Sequence, residues 1–314
     1  MKICFYGVGG VGGYFGALIA HRFVKEHAIC FVARGAHKEA ICRSGLTLKK
    51  GGGAEIVNVT PSICTDTISD LPVCDIIVLS VKSYDLASAA QDLVKITHPG
   101  SVVLPLLNGV DIYDRIRAHL STAIVLPSCV YIGTHIESPG VILQNGGNSK
   151  IVLGADPRFP EFYPETLLSI FQEAKISYAW DANVQVAIWE KFMFIAAFGL
   201  VTATYDKTLG EIIDDAVLCR TTTAIMHEIE SIAKQLSIPL SPDIVTTSID
   251  KAKQFPYHTK TSFQRDVESK GSRNELDIFG GTLIRYSDSL QIPVPVTRAV
   301  VQELMPVNRK DLHE

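Results

Sequence analysis

Lys191 is the only cation between Asp181 and Thr204, and the residues from Phe192 to Phe198 are all apolar. Burial disfavours an ammonium group, so a lysine in this setting suits a proton donor or a group that polarises a carbonyl. It equally suits a side chain whose stem lies on apolar surface while its head reaches water. Glu275 lies in Ser272-Arg273-Asn274-Glu275-Leu276, and a serine three residues before a glutamate and an apolar run is the spacing of a capping box. Ser262, in Thr261-Ser262-Phe263-Gln264, is open to the same reading, because hydroxyl residues cap helix starts without touching any ligand.

A second group of residues points to phosphate chemistry. Gly7-Val8-Gly9-Gly10-Val11-Gly12 spells GxGxxG between the apolar run Ile3-Cys4-Phe5-Tyr6 and the helix-like run Ala17-Leu18-Ile19-Ala20. A strand before and a helix after are the context the motif requires. Gly7 then permits a tight turn, Gly9 lets the backbone approach a pyrophosphate, and Gly12 lets helix and strand pack closely. The free N–H groups and positive end of the helix meet the phosphates. The next strand, Ala28 to Ala33, ends in Arg34-Gly35, and positions 30–36 hold one arginine and no acid. An acid there grips a ribose 2′-hydroxyl and a cation suits a 2′-phosphate, so the pattern favours NADP over NAD. Asp75–Val81 and Ser101–Leu107 are continuous apolar strands followed by Lys82 and by Asn108-Gly109. Ligands in open α/β sheets bind outside the carboxyl ends of strands. Gly7, Arg34, Lys82 and Asn108 all stand there. Lys82 also fits a solvated loop, and Asn-Gly is a common turn pair.

The elements that must position these residues fall into two blocks. Residues 1–180 read as a Rossmann-like α/β dinucleotide-binding domain. It includes a hairpin or loop insertion at 46–60 and an antiparallel extension of the sheet from Ala123 to Leu153. Residues 181–314 read as helical, with a long helix from Asp181 to Val201 and further helices at 220–236, 245–254, 263–268, 276–289 and 297–304. A chain of 314 residues suits two domains. Net charge is −4, which excludes a basic nucleic-acid footprint. The seven cysteines form no CxxC pair, so neither a disulfide framework nor a metal site is expected, and reduced thiols point to the cytoplasm. No leader is expected ahead of the first strand. The most apolar run, Phe192–Ala203, is too short to span a bilayer. The apolar helices of the second block suit a homodimer interface and suit a folded core equally well.

Several segments together resemble the ketopantoate reductase (2-dehydropantoate 2-reductase) family over nearly the whole chain. They are the glycine turn through Gly16, Ala33-Arg34-Gly35-Ala36-His37, Leu79-Ser80-Val81-Lys82 and Leu107-Asn108-Gly109-Val110. Trp189-Glu190-Lys191 follows, then Thr261–Glu268 and Asn274-Glu275-Leu276-Asp277. The resemblance implies NADPH as hydride donor and ketopantoate as acceptor, giving pantoate for pantothenate and coenzyme A synthesis. It implies Lys191 as general acid and Glu275 as orienter of the substrate hydroxyl. It assigns Ser262 to the substrate carboxylate and Asn108 to both substrate and cofactor. Residues 7–12, Arg34 and Lys82 would hold the cofactor. The family commonly carries asparagines four and eight residues after the lysine, where this chain has Ile195 and Gly199, and an asparagine-glycine pair where it has Gly280-Gly281. A reductase of another 2-oxo acid is therefore the alternative. A sensor that binds NADPH without turnover has no need of Lys191 and Glu275.

Overall fold

The computed structural model describes residues 1–269 and 273–305. The chain forms two compact units, Met1–Leu107 with Asp111–Val184, and Asn108–Val110 with the chain from Gln185 onward. The split falls at Val184–Gln185, near residue 180, and Asn108–Val110 group with the second unit.

In the first unit the order is β1 (Lys2–Tyr6), α1 (Gly10–Phe23), β2 (Ala28–Val32), α2 (Gly35–Ser44), β3 (Leu46–Lys50), β4 (Glu55–Val59), β5 (Ile63–Thr65) and β6 (Ile76–Leu79). Then come α3 (Leu86–Ile96), β7 (Val102–Pro105), α4 (Ile112–Arg117), β8 (Ile124–Val125), β9 (Ser128–Ser138), β10 (Val141–Leu153), α5 (Glu165–Glu173) and β11 (Ser177–Trp180). One sheet is wholly parallel, in the order β5-β2-β1-β6-β7-β8. Every residue of β6 and β7 is buried, as expected of parallel strands covered on both faces. This is the Rossmann-like order, with its direction of winding reversing between β1 and β6.

The segment from Ala123 to Leu153 is not an extension of that sheet. Apart from β8, it belongs to a second sheet, in which β10 pairs antiparallel with β9 and parallel with β3 and β11, and β3 pairs with β4. Helix α1 touches both sheets through glycines. A Cβ on Gly10 would meet the Thr134 carbonyl oxygen at 2.8 Å, and one on Gly13 the Ile142 side chain at 2.7 Å. One on Gly16 would meet the Phe31 and Phe5 rings at 3.1 and 3.2 Å. A buried ion pair anchors α4: Arg117 donates to Asp156, whose carboxylate also accepts from the Tyr113 hydroxyl at 2.7 Å and the Val125 N–H at 2.7 Å. Burying two charges is repaid only when the remaining bonds are made. Here Arg117 also donates to the carbonyls of Leu120 and Ala123.

The second unit contains α6 (Val184–Tyr205, its first residue still in the first unit), α7 (Leu209–Asp214), α8 (Ala216–Gln235), α9 (Ile244–Lys253), α10 (Ser262–Glu268), α11 (Thr282–Leu290) and α12 (Pro295–Leu304). No strand occurs among its described residues. Helix α6 has 22 residues and is long and apolar enough to cross a bilayer, which the run 192–203 alone is not; 61% of its most apolar stretch is buried in the molecule. A helix apolar all round belongs in a core or a membrane. Its Phe192 and Trp189 rings pack on Phe279 and Tyr286.

Candidate functional site

The glycine turn takes the shape its sequence requires. Gly7 has φ +97, a conformation that favours glycine, and its N–H and that of Val8 donate to the Val32 carbonyl at 3.1 Å. A Cβ on Gly12 would lie 2.1 Å from the Gly7 oxygen, so only glycine lets α1 approach β1 this closely. A Cβ on Gly9 would meet nothing within 4 Å. Helix α1 starts at Gly10, and no side chain caps it. The first N–H groups, those of Gly10, Val11 and Gly12, therefore have no intrahelical partner. The open space at Gly9 and this uncapped turn fit a diphosphate.

Arg34, Gly7 and Lys82 follow the carboxyl ends of the adjacent strands β2, β1 and β6. Arg34 is the N-cap residue of α2, is exposed, and donates to Asp85 at 3.0 Å. Lys82 is half-buried and opens the short 3₁₀ turn Ser83–Asp85. Two neighbours lie in the resembling stretches but had no role of their own in the sequence reading. The Ser80 hydroxyl donates to the Gly7 carbonyl at 2.7 Å and so braces the turn; its only sequence signal is a polar residue closing an apolar strand. His37 accepts the Gly140 N–H on Nδ1 at 3.0 Å; burial is the main reason its pKa lies below the ordinary 6.5, and the Val8 backbone opposes that shift.

In the second unit the structure brings together two of the expected residues. Lys191 on α6 donates through Nζ to Asn108 Oδ1 at 2.7 Å. Asn108 belongs to this unit although it follows β7 in the chain. Lys191 is half-buried, between the snorkelling and the fully buried readings. Beside it, burial raises the Glu190 carboxyl above the usual range, Lys251 opposes the shift, and Asp243 adds to it.

Glu275 is only 5% exposed and lies just before a π-helical turn, Asp277–Gly281, in which Thr282 N–H reaches back to the Asp277 carbonyl. Such turns are frequent at functional sites. Ser272, the other half of the expected capping box, lies outside the described residues; Asn274 Oδ1 accepts the Leu276 N–H at 3.0 Å. Ser262 is exposed at the first position of α10 and is not the cap. Thr261 fills that role, accepting the Gln264 N–H at 3.1 Å while its hydroxyl meets that of Thr202 at 2.8 Å. Ile195 and Gly199 follow Lys191 on one face of α6, at one-turn steps. A Cβ on Gly280 would meet Val301 at 2.4 Å, so this backbone has no room for a side chain there without repacking.

The strand order, the glycine turn and the helical second unit define a Rossmann-like protein with a C-terminal helical unit. The chain belongs to the ketopantoate reductase family of oxidoreductases. The family's model, ketopantoate reductase PanE/ApbA, matches residues 3–158, and its C-terminal model matches residues 183–308. The chain is 26% identical to an uncharacterized oxidoreductase, YkpB, of Bacillus subtilis over 97% of this chain and 98% of that protein. It is 25% identical to a 2-dehydropantoate 2-reductase of Halobacterium salinarum over 99% and 100% of the two chains. A crystal structure of a PanE/ApbA family ketopantoate reductase from Ralstonia eutropha superimposes with a TM-score of 0.89 at 26% identity, covering 100% of both chains.

Proposed function

We propose that this protein is an NADPH-dependent 2-oxo acid reductase that converts ketopantoate to pantoate in pantothenate and coenzyme A synthesis. The observation that carries the reading is the hydrogen bond from Lys191 Nζ to Asn108 Oδ1. It fixes the direction of an otherwise flexible ammonium. An ammonium held in this way can present a proton to a substrate oxygen.

The residues present fit the cofactor. Gly7 to Gly12 would hold the diphosphate, Arg34 and Lys82 the adenosine end, and Asn108 would also touch it. When bound, the dihydronicotinamide supplies hydride to C2 of the 2-oxo acid. As that carbon is reduced, negative charge grows on its oxygen. Lys191 stabilises that charge and gives the oxygen its proton. The Ser262 hydroxyl would donate to the substrate carboxylate. Glu275 would accept from the substrate hydroxyl and keep it in register.

Ile195 supports a second reading, a different 2-oxo acid. It puts an apolar side chain one turn beyond Lys191, where a hydroxylated substrate needs a polar contact. A site that lacks a hydrogen-bond partner for a substrate hydroxyl gains little from that hydroxyl. The test is NADPH oxidation followed by absorbance against ketopantoate and a panel of aliphatic and aromatic 2-oxo acids. Highest kcat/KM with ketopantoate supports the first reading, and highest with an apolar acid the second. No oxidation with any acid, while NADPH still binds, refutes both and leaves a dinucleotide sensor.

A further inference from the structure

The seven cysteines are all free thiols in the structure. Cys4, Cys30 and Cys74 are fully buried, and a hydrogen bond with Cys74, followed by burial, holds the Cys30 thiol far above its ordinary range. Such thiols are inert. Cys42 and Cys64 are placed differently. Cys42 is exposed near the end of α2, and Cys64 is half-buried in β5, the edge strand of the parallel sheet. The Cys42 thiol donates to the Cys64 carbonyl oxygen at 3.5 Å, which places the two cysteines side by side.

The elements that carry them are already clamped together. Lys38, one turn before Cys42, donates to Asp66, two residues beyond Cys64, at 2.8 Å. The Lys38 charge favours thiolate at Cys64. Burial, then the neighbouring Cys42, nevertheless push the Cys64 thiol up to about 12, with Asp66 adding to the rise. Cys64 therefore stays protonated, and the exposed Cys42 is the sulfur that meets an oxidant. An exposed thiol beside a second thiol able to resolve its sulfenic acid is the arrangement of a redox-sensitive pair.

We propose that Cys42 and Cys64 are a peroxide-oxidisable dithiol that closes to a disulfide and pins α2 to β5. In the first step the Cys42 sulfur attacks one oxygen of the hydroperoxide. The O–O bond breaks, leaving Cys42 as a sulfenic acid and releasing water. The Cys64 sulfur then displaces hydroxide from Cys42 Sγ and forms the S–S bond, and its proton leaves with the hydroxide as a second water. Two thiols lose two electrons in all, and the peroxide is reduced to water. Because α2 begins beside Arg34, the cross-link would fix the element that carries the expected adenosine contact. The dithiol itself stands whether or not the protein is a reductase.

The test uses the purified full-length chain and hydrogen peroxide, with remaining thiols alkylated under denaturing conditions before intact-mass and peptide analysis. The expected result is loss of two of the seven thiols and one linked peptide pair containing Cys42 and Cys64, reversed by dithiothreitol. In Cys64→Ser the sulfenic acid at Cys42 should persist and be captured by dimedone. In Cys42→Ser, Cys64 should remain unmodified. A wild-type chain that keeps all its thiols overturns the proposal, as does a linked pair built from other cysteines. Should a serine variant fold poorly, the wild-type peptide map alone decides.

Discussion

Replacing Gly12 with alanine puts a methyl carbon 2.1 Å from the Gly7 carbonyl oxygen and 2.2 Å from Ser80 Oγ, where ordinary contact begins at 3.4 Å. Neither obstacle can step aside. Ser80 Oγ is bonded to that same carbonyl at 2.7 Å, and the Gly7 N–H is bonded to Val32. The helix must move off β1 instead. Overpacking of this kind costs about 1–3 kcal/mol, and the better helix propensity of alanine returns at most about 1 kcal/mol. An overlap this deep takes the upper end of that cost, and the resulting net loss of about 2 kcal/mol lowers the melting temperature of a domain this size by roughly 4–8 °C. Gly9→Ala is the control. Its methyl meets nothing within 4 Å, and the Gly9 backbone (φ −85, ψ −157) suits alanine. Its stability should stay within about 0.5 kcal/mol of wild type, while the methyl occupies the space assigned to the diphosphate. Thermal unfolding without ligand and fluorescence titration with NADPH read the two effects separately. A Gly12→Ala protein as stable as wild type would refute the packing argument. Wild-type NADPH affinity in Gly9→Ala would move the diphosphate elsewhere.

Lys191→Met should bind NADPH nearly as wild type and lose about 10²–10⁴-fold in turnover; near-normal kcat on the best 2-oxo acid rules Lys191 out as the acid. Arg34→Ala should weaken NADPH much more than NADH in equilibrium titrations, because the guanidinium can release its exposed pairing with Asp85 and bond a 2′-phosphate. Equal loss of both cofactors contradicts the role. Asp156→Ala strands the Arg117 guanidinium, whose side chain is 4% exposed, and should cost about 3–5 kcal/mol in urea unfolding; a loss under about 1 kcal/mol would mean that water reaches the site. His37 is held below its ordinary pKa of 6.5, so the unfolded chain takes up its proton first as pH falls. Its contribution is complete above pH 6.5 and is lost as pH drops from there toward the folded-state value. His37→Asn should flatten that part of the stability–pH curve, and an unchanged slope would show that another group titrates there.

The readable parts of the chain were those whose signal is local. The glycine turn, the buried parallel strands and most helices of the second unit lie where their periodicity puts them. The second sheet was hidden because its decisive pairing, β10 with β3, joins Val141 to Thr47 across most of the first unit; each strand alone reads as part of a hairpin. Helix α7 was missed at only 6 residues, although its capping box was in view, with the Thr208 side chain accepting from the Glu211 N–H and Glu211 answering to Thr208. Thr261 rather than Ser262 caps α10 because the hydroxyl one residue earlier is the one that faces Gln264 N–H. The contact between Lys191 and Asn108 spans 83 residues of sequence. No spacing announces it, and without the resemblance the lysine stayed balanced between two readings.

Helix α1 is hemmed in by both sheets, at Gly12 and Gly16 on one side and at Gly10 and Gly13 on the other. Apart from its last turn, where His21 and Arg22 are exposed, such a helix resists loosening by itself, since that exposes the apolar faces of two sheets together. Its interior amides should therefore exchange with solvent only when the first unit opens as a whole. The glycine turn inherits that permanence from its attachment to α1, so a ligand arriving there meets donors already in place and loses little binding energy to ordering them.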